Sequence, residues 1–83
     1  MYKIAFAAEA EKEFLKLDKP AQKIVALKIR DLKEGKFSKD KALKGKYKGK
    51  YRNRAGNYRI IYFRQGNLLL ITIIRIAHRK EIY

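Results

Sequence analysis

The chain has 83 residues, enough for one domain and too few for two separate cores, because so short a chain buries only about 60–65% of its unfolded surface. Apolar residues make up 47% of it, cysteine is absent and His78 is the only histidine, which excludes wholesale disorder, a disulfide framework and a zinc cluster, so that no metal or other cofactor is expected. The net charge of +14, from 22 Lys plus Arg against 8 Asp plus Glu, favours polyanionic partners.

Met1 to Phe6 reads as a short strand, with Tyr2, Ile4 and Phe6 alternating against Lys3 and Ala5. It lacks the long apolar region of a secretory leader, and no apolar run approaches the ~18–20 residues that span a bilayer, so a cytoplasmic protein without membrane contact is expected. From Ala8 to Leu17 the residues Ala10, Phe14 and Leu17 recur at helical spacing, with Glu9, Lys12, Glu13 and Lys16 on the outer face. Asp18 can cap a second helix that has Pro20 in its first turn, an apolar stripe of Ala21, Ile24, Val25, Ile29 and Leu32, and Gly35 as its stop. The short link between the two predicts a helical hairpin lying on a sheet.

Phe37 to Lys48 reads as a basic, mostly exposed loop with Leu43 as its only large aliphatic anchor. Three β-rich runs follow, Lys50–Ala55, Tyr58–Arg64 and Leu68–Ile76, separated by Gly56-Asn57 and Gln65-Gly66-Asn67, an antiparallel meander. The last run is nearly all aliphatic, so it should sit centrally with Met1–Phe6 at its far side, ahead of a polar tail from Ala77 to Tyr83. The expected fold is α+β, in the order β-α-α-β-β-β: one domain over residues 1–83, with an antiparallel sheet of about four strands and the helical hairpin on one face.

The basic charge is unevenly spread. Residues 1–40 hold ten basic and seven acidic side chains, whereas residues 41–80 hold twelve basic and none acidic. With Gly56-Asn57 as a two-residue turn, Arg54 opposes Arg59, and Lys50, Arg52, Arg54 and Arg59 project from one face. Like charges directly across a hairpin destabilise it, and a bound phosphate would relieve them; the alternative is a solvated basic face. A three-residue second turn would bring Arg75 and Arg79 to the Arg59 face and a two-residue turn would bring His78 there, unless a bulge intervenes. Tyr58 and Tyr62 share a face with Ile60 and read as core rather than as base-stacking residues.

The stretch Leu43-Lys44-Gly45, the run from Lys50 to Tyr62 and the ending His78-Arg79-Lys80-Glu81-Ile82-Tyr83 together resemble the RelE/ParE superfamily of type II toxins over essentially the whole chain. The resemblance implies a microbial-ribonuclease-like RelE fold and, for the RelE branch, an endoribonuclease that cuts mRNA in the ribosomal A site; the ParE branch, which poisons DNA gyrase, shares the fold but generally lacks the full catalytic set. By position, the RelE active-site cations fall on Lys50, Arg52, Arg59 and Arg79, and the active-site tyrosine on Tyr83. In metal-free cleavage by the 2′-hydroxyl, Arg59 and Lys50 would clamp the phosphate and Tyr83 would act as base. Arg52 and Arg79 hold their protons too tightly to protonate the leaving oxygen well, which leaves His78 or water for that step. Lys44, Lys46, Lys48, Arg54 and Lys80 are expected to add RNA contacts. The implied partners are a cognate RelB-like antitoxin, the ribosome and mRNA, with a non-catalytic binder as the competing class: a ParE-like toxin directed at DNA gyrase, or a basic RNA-binding module.

Overall fold

The computed structural model describes residues 1–82. The opening strand β1 (Lys3–Phe6) is followed by helices α1 (Ala8–Lys16) and α2 (Lys19–Lys33). In α1, Ala10 is buried and Phe14 packs on the core, as the helical spacing predicts. Asp18 caps α2 by accepting from the Ala21 amide at 3.0 Å, and Ala21, Val25 and Leu32 are the buried part of its stripe. Ile24, on the same stripe, remains 44% exposed. Beyond α2 the chain turns through Gly35 at φ +83°; the Lys36 amide reaches Asp31 O and the Gly35 amide reaches Leu32 O, a Schellman ending that needs the left-handed region glycine adopts freely.

The basic loop is more structured than its composition suggests. Lys41–Ala42 forms a two-residue strand, β2, and Gly45–Tyr47 a 3-10 turn. Ahead of them Phe37 packs edge-on against Tyr2 and stacks on Tyr62, and the Asp40 carboxylate accepts from Asn53 Nδ2 at 2.6 Å and from the Tyr62 hydroxyl. Periodicity could not reveal this anchoring, because single side chains make it with residues far along the chain.

β3 (Tyr51–Ala55), β4 (Tyr58–Gln65) and β5 (Leu70–His78) form the meander, and a short helix α3 (Arg79–Ile82) closes the described chain where a polar tail was expected. The sheet has five strands in the order β1-β5-β4-β3-β2, one more than expected. It is mixed rather than wholly antiparallel, because β1 runs parallel to β5 with Lys3 beside Leu70 and Phe6 beside Ile73. Val25 and Leu32 of α2 and Ala10 of α1 join Ala55, Ile60, Tyr62, Ile71, Ile73 and Ile76 in one core between the helices and the sheet. No helix of the described residues is long and apolar enough to cross a membrane.

Candidate nucleic-acid interface

The hairpin register is the one the Gly-Asn turn predicts: Ala55 opposes Tyr58 and Arg54 opposes Arg59. Gly56 takes φ +62° while Asn57 stays outside that region, the pattern of a turn whose first central residue must be left-handed. Side chains alternate from that pivot. Asn53, Ala55, Ile60 and Tyr62 therefore face the helices, while Arg52, Arg54, Arg59 and Ile61 face away from them.

The β4–β5 connection follows neither anticipated geometry. Gln65 pairs with Leu70, so four residues join the strands, and a bulge at Ile74 separates the Tyr62–Ile73 pair from the Ile61–Arg75 pair. Without the bulge, the register at Gln65 would set Ile76 opposite Arg59 and turn His78 to the cationic face. The extra residue shifts the pairing by one, so that Ala77 opposes Arg59 and His78 opposes Tyr58. His78 thus lies on the helix side, its ring edge-on to Tyr58 at 5.6 Å, and is not brought to the arginines. The first turn of α3 follows directly, its Arg79 amide donating to Asn57 O at 2.9 Å across the β3–β4 turn.

Arg59 is the centre of the cationic face. It is 4% exposed and lies along the hairpin turn, its Nη1 donating to Tyr58 O at 3.1 Å and Gly56 O at 3.5 Å. Burial, and then the positive charges of Arg54, Arg52 and Arg79, hold its guanidinium below the usual arginine range. Arg54 and Arg79 are exposed and Arg52 is half-buried. Lys50, just ahead of β3, rests its ammonium 5.9 Å from the Phe63 ring centre.

Arg75 reaches the same face but is differently engaged. Its Nη2 lies 2.7 Å from Glu13 Oε2 of α1, its Nε meets both Glu13 oxygens, and its Nη1 donates to the Tyr47 hydroxyl at 3.4 Å. The hydrogen bonds to Glu13 push its pKa up. Glu13 also accepts from the Ile76 amide at 2.8 Å, where β5 has run past the end of β1, so one carboxylate covers an open strand edge and fixes the cation. Through Tyr47 the same arginine tethers the 3-10 turn that carries Lys46. Lys44, Lys46, Lys48 and Lys80 are exposed around the site, with Lys46 lying 5.3 Å from the Tyr47 ring centre.

Tyr83 lies outside the described residues. Arg52, Arg54, Arg59 and Arg79 are brought together and Lys50 flanks them; His78 is turned away. Sequence reading passed over Asp40 and Asn53, whose pairing no local pattern signals. A cluster of guanidinium groups around a buried one can hold a phosphate and stabilise negative charge developing on it. Among the described residues no group of three His, Cys, Asp or Glu side chains could hold a metal ion.

A family model described as the ParE toxin of type II toxin–antitoxin systems, parDE, matches residues 4–83. The RelB–RelE antitoxin–toxin complex from Methanococcus jannaschii contains a similar chain at 30% identity and TM-score 0.69, covering 95% of this chain and 94% of that one. The YoeB/ParE toxin from Agrobacterium tumefaciens is similar at 19% identity and TM-score 0.79, over 92% of this chain and 96% of that one. The isolated E. coli RelE toxin is similar at 21% identity and TM-score 0.79, over 94% and 84%. No curated protein matches the sequence.

Proposed function

Since the chain belongs to the ParE toxin family of type II toxin–antitoxin systems, within the RelE/ParE superfamily, we propose that it acts as a ribosome-dependent endoribonuclease that cuts mRNA in the ribosomal A site. The observation that carries this reading is the buried Arg59 guanidinium, which feels the positive charges of Arg54, Arg52 and Arg79, a field that attracts an anion. A scissile phosphate is such an anion. Arg59 and Lys50 bind it and stabilise the phosphorane as the 2′-hydroxyl attacks, and Arg52 and Arg79 add to the field.

Tyr83 is the proposed base, the role that the family resemblance gives it. The 5′-oxygen leaves with a proton taken from water, since guanidinium groups are poor acids and His78 packs against Tyr58 on the helix side. The products are a 2′,3′-cyclic phosphate and a 5′-hydroxyl. A site with so weak an acid depends on a partner that holds the strand in line, which is the part given to the ribosome. The proposed neutralising partner is a RelB-like antitoxin, in keeping with the antitoxin–toxin complexes among the similar structures.

The test is primer-extension mapping of an mRNA in a purified translation reaction, beside the same mRNA without ribosomes. Cuts confined to translated message at A-site codons support the reading, and intact message with a folded, antitoxin-binding preparation overturns it. The ParE description of the matching family favours a second reading, inhibition of DNA gyrase. A supercoiling assay with the same preparation separates the two.

A further inference from the structure

The outer edge of β3 is only partly covered. β2 begins at Lys41, opposite Arg52, and among the described residues no strand flanks Asn53, Arg54 or Ala55 on that side. A cleft of about 380 Å³ opens there, lined by Lys28 of α2, by Lys39 and Lys41 ahead of and within β2, and by Arg52 and Arg54 of β3. Among the described residues one carboxylate lines the cleft with them, that of Asp40, which already accepts from Asn53 and Tyr62. The cleft therefore keeps a strong positive field.

Asn53 also lines the cleft and is 8% exposed. Its orientation is set by Asp40: a carboxylate only accepts, so the amide nitrogen must face it, as the 2.6 Å contact shows. The amide oxygen is left buried with no hydrogen-bond partner among the described residues. A buried acceptor in that state destabilises a fold until a donor reaches it. The ligand chemistry that answers both features is an anion carrying a hydroxyl at short range, and every ribonucleotide supplies a phosphate and a 2′-hydroxyl in that relation.

The position of the cleft favours a nucleic acid over an acidic peptide. Arg52 and Arg54 belong both to its lining and to the charges felt by Arg59, so the cleft and the Arg59 site share two cations. Adjacent strands lie about 4.8 Å apart, which puts the cleft within reach of the same extended strand that fills the Arg59 site. We propose that this cleft is an RNA subsite: it holds the phosphate of a nucleotide flanking the one at Arg59, and Asn53 Oδ1 accepts from that nucleotide's ribose hydroxyl when the side chains over it part. The proposal rests on the ribonuclease reading above for the identity of the strand.

Hexauridine and hexadeoxyuridine, titrated by fluorescence anisotropy into the full chain at several salt concentrations, test it. The wild-type chain should bind the RNA several-fold more tightly than the DNA. Lys28→Gln/Lys39→Gln should weaken RNA binding roughly tenfold, lower the salt slope by about 1 and shrink the preference for RNA. Lys12→Gln/Lys23→Gln removes the same charge from exposed helix positions outside the cleft and should change affinity less than about twofold. Equal losses in both double variants, no loss in the first, or equal binding of the two hexamers by the wild type overturns the proposal. So does a cleft variant that loses a polyglutamate peptide while keeping hexauridine, which would make the cleft a peptide site. Cleavage in the translation reaction is scored apart: an uncut message sinks the ribonuclease reading, whereas a cut message with unaltered hexamer binding in Lys28→Gln/Lys39→Gln sinks only the subsite.

Discussion

Arg59 and Tyr62 stand three residues apart on β4 and face opposite sides of the sheet, and burial has opposite consequences for them. Arg59 is buried and feels the positive charges of Arg54, Arg52 and Arg79, a field that favours phosphate. Arg59→Ala should lower mRNA cleavage by about 10²–10³-fold, and Arg59→Lys should fail to restore it because a single ammonium cannot reproduce the guanidinium fork; cut yield in the primer-extension assay measures both. Tyr62 is fully buried and donates to Asp40. Burial, then the hydrogen bond to Asp40 and its charge, push the phenol well above the usual tyrosine range. Because the unfolded chain loses that proton near pH 10 and the folded one does not, Tyr62 supports the fold fully below about pH 10 and progressively less above it. Tyr62→Phe should destabilise the protein by about 1.5–3 kcal/mol at pH 7 and flatten the alkaline fall in stability, both read by urea denaturation; an unchanged alkaline limb would remove Tyr62 as its source.

Among the elements, the junction of α1 with β5 decides how the cationic face is built. The parallel partner β1 ends opposite Ile73, and Glu13 takes over by accepting from the Ile76 amide and pairing with Arg75. Its side chain is 20% exposed and that of Arg75 is 22%, so solvent screens the pair only in part. Glu13→Ala leaves the Ile76 amide without its acceptor and Arg75 with the exposed Glu9, 3.4 Å from its Nε, as its carboxylate partner, and should cost about 1.5–3 kcal/mol in urea denaturation. With Arg75→Ala as the second change, a double-mutant cycle should give a coupling of about 1 kcal/mol or more, and additive losses would show that the contact holds nothing. Held by Glu9 alone among the two carboxylates, Arg75 grips Tyr47 less firmly, so the single variant should loosen the Gly45–Tyr47 turn in hydrogen exchange.

At the scale of the whole molecule, a charge of +14 on 83 residues opposes its own compaction. Four arginines are gathered beside a cleft in which Asp40, the one carboxylate lining it among the described residues, is already engaged. Raising NaCl from about 0.05 to 0.5 M should therefore raise the thermal midpoint by several degrees while weakening RNA binding, because screening relieves self-repulsion and competes with phosphate at once. A midpoint that falls with salt would mean that attractive pairs such as Glu13–Arg75 outweigh the repulsion.

The helices, the Asp18 cap, the Gly35 stop and the facing of Arg54 on Arg59 were legible in the sequence because each rests on short-range rules: 3.6-residue spacing, side-chain capping and a two-residue turn that sets register. The family motifs likewise lie in continuous stretches. What the sequence could not decide was whether Arg79 or His78 joins the arginines, since that depends on a four-residue connection and a one-residue bulge acting together, and the two shift the faces by parity. Nor could it show that the basic loop supplies a fifth strand and the Asp40 anchor, or that Lys28 and Lys39 share a cleft with Arg54. Those relations join residues far apart in the chain, and only packing the hairpin against the sheet sets the distances on which charge and hydrogen bonding depend.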